Sequence, residues 1–235
     1  MPSCQPSNSR CFRYRWENNF IKRGYEKMNW SESFIATAAP LLMDNVDTDQ
    51  IIPSREMKTI SKKGLKKGLF ANWQYNYLDG KQIGKNDDFI LNKKAFEDTK
   101  ILVSGKNFGC GSSREHAVWA LKDFGINVVV AKSFGRIFKN NCARNQLLTI
   151  ELADEYIDHI GDLLVRGESY NKITIDLKKQ TLTTPENKII NYEVDPYLLG
   201  MLLKNQDFID RSLSYKDSID EFVRKDKKIR PCAYL

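Results

Sequence analysis

The chain has 235 residues, 41% of them hydrophobic and 29% charged, the composition of a globular protein large enough to bury one sizeable core. No apolar run reaches the roughly 18 to 20 residues a membrane-spanning helix needs; the net charge of +7 is spread over many short groups, which favours a solvated basic surface first, acidic small-molecule substrates second and nucleic acid a distant third. Cysteines 4, 11, 110, 142 and 232 show neither Cys-x-x-Cys nor disulfide-framework spacing, and neither His116 nor His159 has a ligand-spaced neighbour, which predicts a reducing, cytoplasmic setting and no metal held by this chain.

Residues 1–27 carry six Arg or Lys against two Glu and show no sustained periodicity. They are set apart as a basic extension: disordered, a leader translated ahead of Met28, or a transit peptide that would make the protein organellar. Residues 28–223 are taken as one catalytic domain and 224–235 as a charged tail. Residues 34–43 are apolar and end in Asp44-Asn45-Val46-Asp47-Thr48-Asp49-Gln50-Ile51-Ile52-Pro53. This predicts a strand leaving through a carboxylate-rich turn and resuming extended before the proline. Residues 58–76 are lysine-rich and then aromatic, with Gly64 and Gly68 opposing one long helix; a loop and short helix over the site is expected.

Residues 101–104 and 127–131 are short, β-branched and almost wholly apolar, as buried parallel strands are. Between them, a helix is expected over 113–124 with Gly125 as its stop, giving a strand-helix-strand crossover. Residues 133–146 repeat that pattern, with Ser133 as cap and Phe134, Ile137 and Phe138 on one face, before a strand at 147–152. Residues 172–177, 181–184 and 189–194 alternate in the manner of antiparallel strands. Pro196 suits the first turn of a helix after Asp195, with 197–203 buried. From Asp217 onward the chain is highly charged and expected to be only partly helical.

Chemistry concentrates in Gly105-Lys-Asn-Phe-Gly-Cys-Gly-Ser-Ser-Arg-Glu-His116, where a strand passes into a helix. Gly109 and Gly111 let the backbone approach a ligand closely. Ser112 or Ser113 is expected to cap the helix, leaving N–H groups and the positive dipole end toward a carboxylate. Arg114 adds a planar fork suited to bidentate binding. Cys110, with no basic neighbour in sequence, is expected to be a small packing residue rather than a nucleophile. No Gly-x-Ser-x-Gly elbow supports a serine hydrolase.

Three blocks in order, residues 45–53, 107–117 and Ser133-Phe-Gly-Arg-Ile-Phe-Lys-Asn-Asn141, resemble the signatures of 3-isopropylmalate dehydratase small subunits, a family of the aconitase superfamily. The resemblance extends from about Phe34 to Val223. It implies an α/β fold: a swivelling β/β/α domain with a mainly parallel central sheet, a second antiparallel sheet and flanking helices. It also implies a hydro-lyase of leucine biosynthesis that interconverts 2-isopropylmalate and 3-isopropylmalate by dehydration and rehydration. By the same resemblance, activity requires a large subunit, in a heterodimer or heterotetramer, and that subunit carries a four-iron four-sulfur cluster, with no cofactor on this chain. Ser112 is implied as the base, Ser113 and Arg114 as carboxylate ligands, and Asp49 as the group that positions a large-subunit histidine. Where relatives place an arginine after the Asp-Thr-Asp block, this chain has Ser61-Lys62-Lys63, and the resemblance implies that Lys62 or Lys63 stands in the corresponding carboxylate-binding position, with the charge kept and the bidentate fork lost. The alternative is the small subunit of a related hydro-lyase acting on homocitrate or methylmalate. Residues 70–79, which resemble the bacterial leucine-pathway form, favour isopropylmalate.

Overall fold

The computed structural model describes residues 30–57 and 61–234; the expectation for residues 1–27 lies outside them. The first strand, β1 (Ser33–Leu41), leads into a one-turn helix α1 (Thr48–Ile51). The extended passage expected before Pro53 is therefore limited to Ile52. The reason is a capping box: the Asp47 carboxylate accepts from the Gln50 N–H at 2.7 Å and the Gln50 amide oxygen accepts from the Asp47 N–H at 2.8 Å, which satisfies two otherwise orphaned donors. After the short helix α2 (Ala71–Gln74), strands β2 (Tyr75–Leu78) and β3 (Lys81–Lys85) form an antiparallel hairpin. This is the second, separate sheet.

Strand β4 (Thr99–Ser104), helix α3 (Glu115–Phe124) and strand β5 (Val128–Ala131) form the expected crossover, and Gly125 ends the helix at φ 117°. Helix α4 (Arg136–Arg144) and strand β6 (Leu148–Glu151) form the next. Ser133 does not cap α4, which begins at Gly135 without a side-chain cap, and Ile137 is exposed while Phe138 is buried. Helix α5 (Asp154–Val165) has no counterpart in the sequence reading, although Ile157, Ile160, Gly161 and Leu164 recur at helical spacing and are buried. Strands β7 (Lys172–Asp176), β8 (Thr181–Thr183) and β9 (Ile189–Asn191) follow as antiparallel neighbours. Helix α6 (Pro196–Leu203) starts with Pro196 after an Asp195 cap, as expected.

Helices α7 (Phe208–Leu213) and α8 (Lys216–Ile229) follow, and a 3-10 turn over Pro231–Tyr234 comes after them. Helix α8 takes up the stretch from Asp217 as far as Ile229 without a break, and the chain leaves the α-helix there. Its charges are arranged as supporting pairs one turn apart, Glu221 with Lys225 at 2.7 Å and Asp226 with Arg230 at 2.8 Å, each adding a little helix stability. No described helix is long and apolar enough to cross a membrane.

The main sheet has seven strands in the order β6-β5-β4-β1-β7-β8-β9. The first four are parallel, and β7 joins β1 antiparallel, so the 172–191 strands extend the central sheet. Both faces are covered, which explains why β4 and β5 read as unbroken apolar runs. Leu102, Val129 and Ala131 face α3, α4, helix α1 at Ile51 and the loop carrying Leu69 and Phe70. Ile101, Val103, Val128 and Val130 face α5 and α6 through Ile157, Ile160, Leu198 and Leu202. The order β5-β4-β1 has the consequence that matters most: three loops emerge side by side at the carboxyl ends of parallel strands, where open α/β sheets bind ligands.

Candidate functional site

The three sequence blocks, the first 54 residues ahead of the second and the third 16 residues beyond it, form one surface at that edge. Gly109 N–H donates to the Val46 carbonyl at 2.7 Å, and Thr48 N–H donates to the Cys110 carbonyl at 3.0 Å. Phe108 N–H donates to the Ser133 carbonyl at 3.0 Å, and Gly135 N–H returns to the Phe108 carbonyl at 2.9 Å. The glycine-rich loop is thus the middle strip of a small backbone ladder between the loops after β1 and β5. Ser133, expected as a helix cap, instead accepts from the Asn107 N–H at 2.8 Å through its hydroxyl.

Gly109 shows why side chains are excluded. Its φ is +73°, and a Cβ there would stand 2.2 Å from the ring of Phe138. Gly135 faces it across the ladder, where a Cβ would come within 2.6 Å of the Gly109 carbonyl oxygen. The two backbones approach this closely only with glycine at 135, and the Phe138 ring packs onto the ladder only with glycine at 109.

Beyond Gly111, Ser112 and Ser113 are exposed on the turn leading into α3. Neither caps the helix. Arg114 occupies that position, with no side-chain cap bond. The backbone is held elsewhere: the Ser112 carbonyl accepts from the Arg114 N–H at 2.8 Å and from the Thr48 hydroxyl at 3.1 Å. Two hydroxyls and the first N–H groups of a ten-residue helix therefore share one corner, and those N–H groups have no acceptor within the helix.

Arg114 is ion-paired to Asp49, its Nη1 on Asp49 Oδ1. The Ser54 hydroxyl closes a triangle, donating to Asp49 at 3.1 Å and accepting from Arg114 at 3.1 Å. Asp49, Ser112, Ser113, Arg114, Gly109 and Gly111 are thus brought together. Ser54 was not singled out from sequence; its only signal is its place after Pro53. Next to it, Arg55 donates to Asn72 at 2.6 Å and to the Tyr77 hydroxyl at 2.9 Å, which fastens the β2–β3 hairpin to this side of the site.

Lys62 is placed differently. Its ammonium donates to the Asn145 amide oxygen at 3.0 Å and stands 4.9 Å from the centre of the Trp119 ring. It lies on the flank of α3, in a cluster with Lys122, whose ammonium donates to the Asn145 carbonyl. Cys110 carries a thiol pushed up first by burial and then by the nearby Asp47 carboxylate, the opposite of a reactive thiolate. Among the described residues, no three His, Cys, Asp or Glu side chains converge where an ion could be held. The donor set of these residues does not fit an iron-sulfur cluster.

The cluster around Lys122 predicts a pH effect. Burial, followed by the charge of Lys62, lowers its ammonium from 10.5 to about 8. In the unfolded chain it returns to its ordinary value, so between pH 8 and 10.5 the unfolded state binds more protons. The burial penalty is fully present below pH 8 and is relieved as the pH rises, at up to ~1.4 kcal/mol per unit. Denaturant unfolding at pH 8, 9 and 10 is expected to show this rising contribution in the wild type and its loss in Lys122→Met.

Residues 32–155 match the family described as the aconitase C-terminal domain. The 3-isopropylmalate dehydratase small subunit of Afipia carboxidovorans is 47% identical over 196 residues, 83% of this chain and 95% of that protein. Its counterpart in Paramagnetospirillum magneticum is 48% identical over 194 residues, 83% of this chain and 94% of that one. The crystal structure of 3-isopropylmalate dehydratase from Methanocaldococcus jannaschii superposes with a TM-score of 0.58 at 29% identity, covering 80% of this chain and 98% of that one.

Proposed function

Since the chain belongs to the 3-isopropylmalate dehydratase small-subunit family of the aconitase superfamily, we propose that it supplies the carboxylate-binding and proton-moving half of an active site completed by a large subunit. It is a hydro-lyase subunit of leucine biosynthesis, and its family's reaction interconverts 2-isopropylmalate and 3-isopropylmalate. The small-subunit identity implies the partner. The four-iron four-sulfur cluster belongs to that large subunit in this reading, and the cytoplasm is the compartment that fits the cysteine usage.

The observation that carries the reading is the corner where Ser112, Ser113 and Arg114 meet Asp49 and Ser54. Removing water from a hydroxy diacid requires loss of a weakly acidic C–H proton beside a carboxylate. Ser112, as the alkoxide, takes that proton; the C–H electron pair forms the alkene as hydroxide departs from the neighbouring carbon. Rehydration returns the proton from the Ser112 hydroxyl. The helix α3 N-terminus and the Arg114 guanidinium favour the alkoxide, and they also favour the charge that grows on the substrate carboxylate.

Ser113 and Arg114 bind that carboxylate. Asp49 and Ser54 occupy Arg114 Nη1, which fixes the plane of the guanidinium and leaves its other donors for substrate. Once the large subunit docks, the same Asp49 carboxylate, 54% exposed, can also hold a histidine from the partner. Arg114→Lys is expected to lose the planar fork at a cost of about 2 to 3 kcal/mol, or roughly 30-fold to 150-fold in kcat/KM. Steady-state kinetics on the reconstituted complex checks it; a change below about 3-fold would remove Arg114 from carboxylate recognition.

The primary test is co-purification with a large subunit, anaerobic cluster reconstitution, and ultraviolet detection of alkene formed from 3-isopropylmalate. Turnover requiring both chains is the expected result. A cluster-loaded complex inert on this acid but active on homocitrate or methylmalate would transfer the assignment to those substrates.

A further inference from the structure

Asn145 lies at the C-terminal cap of α4, is 8% exposed, and uses every hydrogen-bonding direction of its side chain. Its amide oxygen accepts from Lys62 Nζ at 3.0 Å and from the Trp119 indole N–H at 3.1 Å. Its amide nitrogen donates to Glu115 Oε1 at 2.7 Å and to the Asn141 carbonyl at 2.9 Å. These four partners lie on three separate segments: the loop carrying Lys62, helix α3, and helix α4. Glu115 is the first residue of α3 and directly follows Arg114. Trp119 is one turn further on, beneath the Lys62 ammonium.

We propose that Asn145 is a positioning residue: by holding Lys62 and Trp119 on its amide oxygen and Glu115 on its amide nitrogen, it sets the register of the α3 N-terminus and so the aim of residues 112–114. The inference rests on the reading that residues 112–114 bind substrate. A buried amide with all four directions filled has one orientation, because rotating it would place donors against Lys62 and Trp119 and acceptors against Glu115 and Asn141. Helix α3 begins with no side-chain cap of its own, so the Glu115 carboxylate held by Asn145 supplies an anchor at its first turn.

Asn145→Asp keeps an oxygen for Lys62 and Trp119 but sets a second oxygen against the Glu115 carboxylate and the Asn141 carbonyl. Adding Glu115→Gln restores a donor across the first of those contacts with reversed polarity, while the second stays unfavourable. Two readouts are taken: hydrogen exchange over residues 112–119 in the full chain alone, and kinetics of the reconstituted complex. Asn145→Asp is expected to speed exchange in that stretch about 10-fold and to lower kcat/KM about 10-fold to 100-fold, as misaimed groups do. The double variant is expected to recover both almost fully while its melting temperature recovers only in part, since the Asn141 contact is missing in each. Unchanged exchange over 112–119, or activity that follows melting temperature alone through both variants, overturns the proposal. A wild-type complex without turnover would count against the isopropylmalate reading only, because the exchange result judges the Asn145 clamp without it.

Discussion

Ser112→Ala is expected to lower kcat of the reconstituted complex by about 1,000-fold, within the range that general acid–base groups contribute, with KM changed less than about 3-fold. The substitution removes only a hydroxyl from an exposed turn. What holds that turn is the Ser112 backbone, through the Thr48 hydroxyl and the Arg114 N–H, and alanine keeps both contacts. Stability should therefore stay within about 0.5 kcal/mol of wild type, so activity can be read without a folding correction. If Ser112 merely donated a hydrogen bond to substrate, its loss would be about 10-fold. Single-turnover alkene formation distinguishes the two, and a fall of 10-fold or less would reject the base assignment.

Gly109→Ala is expected to have the largest effect on stability. The added Cβ meets the Phe138 ring at 2.2 Å, and the residue must hold φ +73°. Phe138 cannot readily retreat, because it is buried against Phe108 at 5.4 Å and Phe134 at 6.4 Å between ring centres. Left-handed backbone costs an alanine about 1 kcal/mol and overpacking a core about 1–3 kcal/mol more. For a chain of this size the sum corresponds to a melting-temperature drop of roughly 5–15 °C. Gly80 offers the control, with φ +74° and nothing within 4 Å of an added Cβ, so Gly80→Ala carries the backbone term alone. Equal losses in the two variants would show that Phe138 gives way; adding Phe138→Leu should recover part of the Gly109→Ala loss and none of the Gly80→Ala loss.

Local rules were most readable where a segment's own chemistry decided its conformation. The β-branched runs at 101–104 and 127–131 are strands because both faces of their sheet are covered. Gly125 stops α3, and Asp195 with Pro196 starts α6, because backbone geometry and orphaned donors are settled within a few residues. The capping box of Asp47 and Gln50 was equally local and went unread, since proximity to Pro53 suggested extended chain. Helix α5 was also legible in the spacing of Ile157, Ile160 and Leu164.

Long-range partnership behaved differently. Ser133 looks like a helix cap in sequence, yet it is 26 residues away from the Asn107 N–H that it accepts from. Arg114 looks free to face a substrate, but Asp49 and Ser54 already hold one of its nitrogens. Lys62 reads as a replacement for a carboxylate-binding arginine, and its ammonium lies on Asn145 and Trp119. The amino-acid order was enough to identify the glycine-serine-arginine chemistry, the parallel strands that carry it and the family to which both belong. Which loops lie together, which side chains restrain Arg114, and how Asn145 ties three segments together follow from strand order, because hydrogen bonds between residues dozens of positions apart exist only once β5, β4 and β1 lie side by side.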